Sequence, residues 1–153
     1  MRSIPQKMAR IKVELPATFS FSTSIPIRIT DLNYGGHVGN DTILSLIHEG
    51  RVQYLQQFGL EELKFAGVGL IMSDVAIEFK NECFHGDVVQ VWVTASDFTK
   101  VSFDVYYKLE KTNGDTIEPV AFAKTGMICF DYPKKKVVAI PEGVKDLITN
   151  FHK

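Results

Sequence analysis

The fold of this chain is decided by the ten-residue stretch Asp31-Leu32-Asn33-Tyr34-Gly35-Gly36-His37-Val38-Gly39-Asn40. It combines acid and amide side chains, a histidine and three glycines directly before a long apolar segment. Glycine permits tight turns and the close approach of a ligand. The first turn of a helix has unpaired N–H groups and a partial positive charge, so it stabilises an oxygen that gains negative charge. The stretch therefore predicts a polar loop that delivers a reactive group to a helix N-terminus.

The residues after this stretch predict a long, largely buried helix from Thr42 to Phe58. Asn40 and Asp41 are good helix caps, and Gly59 is suited to the C-terminal stop. Apolar residues lie around much of the helix circumference, which is typical of a helix buried on most sides. These residues are Ile43, Leu44, Leu46, Ile47, Val52, Tyr54, Leu55 and Phe58. Gly50 costs about 1 kcal/mol relative to alanine in a helix interior, a cost that close packing against another chain or a ligand would explain.

The rest of the sequence predicts mainly strands, from residues that alternate between apolar and polar. The predicted strands are Ile11–Leu15 at an exposed edge, Ile25–Thr30, Val75–Lys80, Val89–Ser96, Val101–Glu110, Pro119–Tyr132 and Val137–Ile140. A short helix is predicted at Glu61–Ala66 and a closing helix at Pro141–Phe151. Asn113-Gly114 indicates a hairpin turn, and Gly126 indicates a bulge or a close approach. One long buried helix with about five antiparallel strands describes the α+β class.

The same ten residues resemble the signature of the hot-dog-fold acyl-coenzyme A thioesterases of the 4-hydroxybenzoyl-coenzyme A type. That signature is roughly Asp-x-Asp-x-x-Gly-His-Val-Asn-Asn, followed by a helix that contains Glu-x-x-Arg. The matching residues are Asp31, Gly36, His37, Val38 and Asn40, and Glu49 falls where the helix glutamate is expected. Two positions differ: Asn33 stands where many members carry the catalytic aspartate, and Gly39 replaces the first asparagine. The similarity covers roughly residues 25–144.

The resemblance implies one hot-dog domain over residues 1–153, in which an antiparallel sheet wraps around one long central helix. Residues 1–24 would form an N-terminal extension that carries the edge strand. The resemblance also implies a homodimer or a homotetramer built as a dimer of dimers, with active sites at the dimer interface. The expected reaction is hydrolysis of an acyl-CoA, or an acyl-carrier-protein thioester, to the free acid. No metal or redox cofactor is expected, because the CoA moiety is part of the substrate.

Thioester hydrolysis needs an activated water or a carboxylate nucleophile, together with groups that stabilise the oxyanion. The predicted catalytic residues are Asp31, Asn33, His37 and Glu49, and the predicted substrate-binding residues are Gly36, Gly39 and Asn40. The backbone N–H groups near Gly39 and Asn40 are the predicted oxyanion donors. Asn33 can orient a water or a carbonyl, but it cannot act as a base at neutral pH.

Each titratable candidate also has a structural interpretation. Asp31 is either catalytic or the acceptor of a loop hydrogen bond. His37 is either a base or a structural hydrogen-bonding group. Glu49 is either a general base whose pKa is raised by burial, or the partner of a cation such as Arg51 or Lys64. Asp41 is most simply a helix cap.

Two other functions remain open on this sequence. A non-hydrolytic acyl-thioester-binding protein would keep the pocket and lose the base, and Asn33 in place of aspartate supports that alternative. A dehydratase or hydratase of the same fold would need a histidine and a carboxylate together, such as His37 with Glu49. The spacing of the motif favours the thioesterase type.

Composition excludes several other classes of protein. The 153 residues suit one domain, and a formal net charge of −1 gives no general attraction to nucleic acid or membranes. The basic run Lys134-Lys135-Lys136 is expected to be a solvated turn, with a contact to substrate phosphates as the alternative. Cys83 and Cys129 form neither a disulfide framework nor a metal set, and a nucleophilic Cys83 beside His85 is disfavoured. No membrane span or secretory signal is expected, so the cytoplasm is the expected location.

Overall fold

The computed structural model describes residues 10–150. In that part of the chain six strands form one antiparallel sheet with the order β1-β3-β4-β5-β2, and β6 pairs with β5. The strands are β1 (Phe21–Pro26), β2 (Gly69–Phe79), β3 (Val88–Ser96), β4 (Ser102–Asn113), β5 (Thr116–Asp131) and β6 (Lys136–Val137). The helices are α1 (Asn40–Gln56) and α2 (Val144–Thr149), and a 3-10 turn spans Ile29–Asp31.

The helix α1 packs on the inner face of the sheet, chiefly against β1 and β3. Its residues Leu46, Ile47 and Tyr54 are buried in one core with alternate residues of β3, β4 and β5. The Tyr54 hydroxyl accepts a hydrogen bond of 3.1 Å from the N–H group of Ala95 on β3. This α+β architecture, with a sheet packed around one long helix, confirms the hot-dog arrangement that the resemblance implies.

Gly50 allows α1 to lie close to the sheet. A Cβ atom at this position would be 2.7 Å from Cγ1 of Val91 and 3.3 Å from Cγ2 of Val93. The first of these contacts is shorter than real Cβ atoms show and the second is tight, so only glycine fits without movement of the Val91 side chain. The close packing expected at Gly50 is therefore present, and it is made with the chain's own sheet.

The predicted ends of α1 are close to the observed ones. The helix begins at Asn40, with Gly39 as the N-cap residue, and ends at Gln56. Gly59 has a φ of +74°, and the Leu60 N–H group donates to the carbonyl oxygen of Leu55. The predicted glycine stop is thus confirmed as a left-handed residue directly after the last turn.

The hairpin and the close approach on β5 are also confirmed. Asn113 pairs with Thr116 across the β4–β5 turn, and Gly114 has a φ of +64°. Gly126 lies opposite a register shift in β2, where a Cβ atom would be 2.6 Å from Oδ2 of Asp74 and 2.7 Å from Oγ of Ser73. The bulge itself is on β2, and Gly126 provides the room for it.

Several element predictions are wrong. Residues 11–15 are not a strand: in this segment the Val13 N–H group donates to the carboxylate of Glu78 on β2 rather than to a strand backbone. The strand predicted at residues 25–30 is shifted, because β1 ends at Pro26 and a 3-10 turn follows. Residues 61–66 do not form a helix: they contain a bend closed by hydrogen bonds between Glu61 and Lys64, and Phe65 forms an isolated bridge with Val68. The closing helix is shorter than predicted, and Phe151 lies outside the described residues.

The strand β2 leaves one edge of the sheet open. Within residues 10–150 it pairs only with β5, so its other backbone edge has no strand partner. Met72, Val75 and Phe79 on this strand are each more than 40% exposed. None of the helices described is long and apolar enough to cross a membrane.

Candidate active site

Backbone hydrogen bonds hold the loop before α1 in one conformation. Leu32 and Val38 form an isolated antiparallel bridge, and the Asn33 N–H group donates to the carbonyl of His37 at 2.9 Å. Gly36 has a φ of +81°, which a residue with a side chain adopts only with strain. The Val38 N–H group donates to the carbonyl of Cys83, so the loop is also tied to the segment between β2 and β3. The loop therefore presents its side chains at the start of α1 from a fixed backbone.

Among residues 10–150, no side chain caps the first turn of α1. The N-cap residue is Gly39, and the first helical bond runs from the Ile43 N–H group to the Gly39 carbonyl. The N–H groups of Asn40 and Asp41 precede that first bond and point out of the helix start. These two groups can donate to an oxygen that gains negative charge.

Asn33 lies beside this helix start. Its Oδ1 accepts a hydrogen bond of 2.9 Å from the Gly35 N–H group, which leaves the Nδ2 amino group as the available end of the amide. A Cβ atom built on Gly39 would be 3.7 Å from this Nδ2. The structure therefore brings together three of the predicted site residues, Asn33, Gly39 and Asn40.

Asp31 is buried and faces Arg28. Its Oδ2 accepts a hydrogen bond of 2.8 Å from the Arg28 N–H group, and its Oδ1 lies 3.3 Å from the guanidinium Nη2. Burial alone would raise the pKa of this carboxyl, but the Arg28 N–H group and guanidinium outweigh it and hold the pKa below its usual value. An ionised and paired carboxylate of this kind anchors the loop.

Glu49 is exposed, contrary to the burial expected for it. It lines a groove of about 520 Å³ that also contains Arg28 and Asp31. Its Oε2 accepts a hydrogen bond of 2.8 Å from Nε2 of Gln53. Neither expected cation partner is present, since Arg51 pairs with Glu62 and its guanidinium donates to the Tyr107 hydroxyl at 3.1 Å.

His37 does not line the groove that contains Glu49. It lines a separate groove of about 250 Å³ together with Asn40. Its Nδ1 lies 3.2 Å from the Val38 carbonyl oxygen, and its Nε2 lies 3.9 Å from Oε1 of Glu82. Glu49 is nine residues beyond Asn40 on α1, or about 13 Å along the axis at 1.5 Å per residue. One chain therefore does not bring His37 and Glu49 to the same substrate atom.

Sequence reasoning missed two contacts of the predicted residues. Gln53 is four positions after Glu49, a helix spacing that could have identified this partner. The contact of Glu82 with His37 arises only from tertiary structure, and no sequence signal indicated it.

The two cysteines and the lysine run lie in environments that are typical of structural residues. Cys83 is buried, and burial raises the pKa of its thiol to about 11, so it is protonated at neutral pH. Cys129 is a buried thiol, as predicted. Lys134, Lys135 and Lys136 are exposed around the β5–β6 turn, as expected for a solvated turn. Across residues 10–150, no group of three or more His, Cys, Asp or Glu side chains is arranged to hold a metal ion.

Known proteins share this architecture. The chain is similar to a 1,4-dihydroxy-2-naphthoyl-CoA thioesterase from Synechocystis, with 20% sequence identity and a TM-score of 0.76 over 86% of this chain and 96% of that chain. A 4-hydroxybenzoyl-CoA thioesterase from a Pseudomonas species has 16% identity and a TM-score of 0.75, covering 85% and 99%. A thioesterase-superfamily protein from a Jannaschia species has 19% identity and a TM-score of 0.76, covering 88% and 84%. No curated protein matches the chain significantly.

These structural similarities establish the fold, and a family model establishes the relationship. The model of the thioesterase-like superfamily matches residues 27–148, which include the 3-10 turn, the loop, α1 and most of the sheet. The chain belongs to the thioesterase-like superfamily.

Proposed function

We propose that this protein is a thioester hydrolase that cleaves an acyl-CoA to the free acid and CoA. The observation that carries the proposal is the uncapped start of α1 at Gly39, with the amino group of Asn33 beside it. The structurally similar CoA thioesterases from Synechocystis and Pseudomonas support CoA as the carrier. We also propose that the chain is a single hot-dog domain, that it needs no metal or redox cofactor, and that it acts in the cytoplasm.

In the proposed reaction the thioester carbonyl lies at the helix start. The N–H groups of Asn40 and Asp41 donate to the carbonyl oxygen as it gains negative charge, which stabilises the tetrahedral intermediate. The absence of a side chain on Gly39 lets the acyl group approach this backbone. A water molecule forms the new C–O bond, and the C–S bond then breaks to release CoA.

A second copy of the chain is the proposed partner, and it would pair along the open edge of β2. An exposed strand edge with apolar side chains is suited to strand pairing, and Met72 and Val75 supply those side chains here. A dimer of dimers is compatible with this pairing. The groove at Glu49 also lies open in one chain, so a second copy would help to enclose the substrate.

The second candidate function is non-hydrolytic acyl-thioester binding. The observation that favours it is Asn33. An amide is not a base at neutral pH, and Oδ1 of Asn33 already accepts a hydrogen bond from the Gly35 N–H group. The hydratase alternative receives less support, because His37 and Glu49 line different grooves.

Thiol release from short, long and aromatic acyl-CoA substrates tests the proposal. We expect at least one class to be hydrolysed with saturation kinetics, and the corresponding acyl-carrier-protein thioester to be a poorer substrate. Saturable binding of acyl-CoA without thiol release would support the binding protein instead. If no acyl-CoA in the panel is either bound or hydrolysed, both functions are contradicted.

A further inference from the structure

The four residues predicted to be catalytic leave the helix start without an evident proton acceptor. Asp31 is held by Arg28, Asn33 is not a base, and His37 has its Nε2 3.9 Å from Oε1 of Glu82 in a groove whose lining includes neither Asn33 nor Asp41. Glu49 of the same chain is about 13 Å away along α1. A water that attacks a thioester at this position therefore needs another base in the same chain, or a carboxylate from a second copy.

We infer that Asp41 is the general base of this site. It is the second residue of α1 and is exposed, and it does not serve as the cap that its sequence position suggested. Among the described residues, no hydrogen bond or ion pair engages its carboxylate, so both oxygens are free to accept a proton. The inference rests on the proposed function, because Asp41 would act on the water that attacks the thioester.

The position of the carboxylate supports this role. A Cβ atom on Gly39 would lie 2.6 Å from Oδ1 of Asp41 and 3.7 Å from Nδ2 of Asn33. The carboxylate oxygen and the amide nitrogen are therefore at most 6.3 Å apart, the sum of the two distances. One water molecule that makes two hydrogen bonds of about 2.8 Å bridges separations up to about 5.6 Å, which covers all but the upper end of this range. Asn33 would donate to the oxygen of this water, and Asp41 would accept one of its protons.

Both departures from the thioesterase signature follow from this arrangement. Any side chain at position 39 would meet Oδ1 of Asp41 at 2.6 Å, so Gly39 provides the room for the carboxylate. An aspartate at position 33 would place a second negative charge near Asp41, whereas Asn33 offers a neutral donor. In this arrangement the carboxylate at position 41 takes the role that an aspartate at position 33 has in many proteins with that signature.

In the proposed hydrolysis, Asp41 first accepts and later returns one proton. Asp41 takes a proton as the water oxygen bonds to the carbonyl carbon, and the oxyanion forms at the N–H groups of α1. The intermediate collapses and the C–S bond breaks. The protonated Asp41 then gives its proton to the departing thiolate, which leaves the free acid, the CoA thiol and the original carboxylate.

The test compares kcat and KM for the wild type, Asp41→Asn, Asn33→Asp and the double variant Asn33→Asp/Asp41→Asn. We expect Asp41→Asn to lower kcat by about 10²–10⁴, the usual contribution of a general base, with KM changed less than about threefold. Asn33→Asp alone should not raise kcat. The double variant should recover at least about tenfold in kcat over Asp41→Asn, because it returns one carboxylate to the same water. A purely structural role for Asp41 would not give this recovery.

Two further variants complete the design. Asp115→Asn, at an exposed aspartate in the β4–β5 turn, is the matched control and should leave kcat unchanged. If Asp41 is the base, Glu49→Gln should lower kcat less than Asp41→Asn does. If Glu49→Gln instead abolishes turnover and Asp41→Asn does not, the base is Glu49 of a second copy, and the inference fails while the thioesterase proposal stands. A wild type that releases no thiol from any acyl-CoA overturns both.

Discussion

At the scale of single residues, the environment of Asp31 makes a prediction about stability and pH. Its pKa is lowered in the folded protein, so its charge stabilises the fold above the ordinary aspartate pKa of about 3.9 and ceases to do so as pH falls through the lower folded value. We expect Asp31→Asn to lower the free energy of unfolding by about 1.5–3 kcal/mol at pH 7, the range for a hydrogen bond to a charged group.

Urea unfolding at several pH values measures this effect. The difference between wild type and Asp31→Asn should be largest near pH 7 and should shrink as the pH falls below the ordinary aspartate pKa of about 3.9 and the carboxyl of the wild type takes up its proton. Asp115→Asn serves as the control with an exposed side chain. A difference that stays constant across this range would show that the charge of Asp31 does not contribute to stability.

The residue scale also shows where sequence reasoning succeeded and failed at the site. The motif correctly placed Asn33, Gly39 and Asn40 together, because all three belong to one short loop and the helix start that follows it. The burial expected for Glu49 was wrong, because an apolar helix pattern does not tell which polar residue lies on the remaining exposed side. The position of Asp41 and Asn33 on the same side of Gly39 could not be predicted, since it depends on how the loop folds back over Gly39.

At the scale of elements, the contact between α1 and β3 decides the outcome of a substitution at Gly50. Alanine would gain about 1 kcal/mol of helix propensity, but its Cβ would be 2.7 Å from Cγ1 of Val91. Overpacking of a core costs about 1–3 kcal/mol. We expect Gly50→Ala to destabilise the protein by about 1 kcal/mol, as measured by chemical unfolding.

A double variant that also changes Val91 is the control for this experiment. Val91→Ala removes the obstructing methyl groups, so the double variant Gly50→Ala/Val91→Ala should be more stable than the sum of the two single effects implies. Additive effects would show that the Cβ atom does not meet Val91.

Elements were predicted well where a local signal determines them. Asn113-Gly114 and Gly59 specify backbone conformations that few other residues adopt, and both were found as expected. The strand predicted at residues 11–15 failed for the opposite reason. Alternation describes which side chains are apolar, but a strand also needs a neighbouring backbone, and Val13 meets the side chain of Glu78 instead.

At the scale of the whole molecule, the open edge of β2 predicts a homodimer in solution. Val75 is 41% exposed on this strand, so a charge there would be buried by strand pairing. We expect the wild type to sediment as a dimer or a larger even assembly at micromolar concentration. Val75→Lys should shift it to monomer without unfolding it.

Ile117→Lys is the control for this experiment. Ile117 is 62% exposed near the start of β5, and the residues it pairs with are on β4, away from β2. This variant should sediment like the wild type. A wild type that is monomeric throughout, or a Val75→Lys variant that remains dimeric, would exclude pairing along β2.

The central claim is that the thioester carbonyl lies at the start of α1, and amide chemical shifts test it most directly. An acyl-CoA analogue in which a methylene group replaces the thioester sulfur binds without being hydrolysed, and it is titrated into 15N-labelled protein. We expect saturable shifts that are largest for the backbone amides of Asn40 and Asp41 and the side-chain amide of Asn33. Saturable shifts confined to other surfaces, such as the groove around Trp92 and Glu110, with these three amides unmoved, would contradict it.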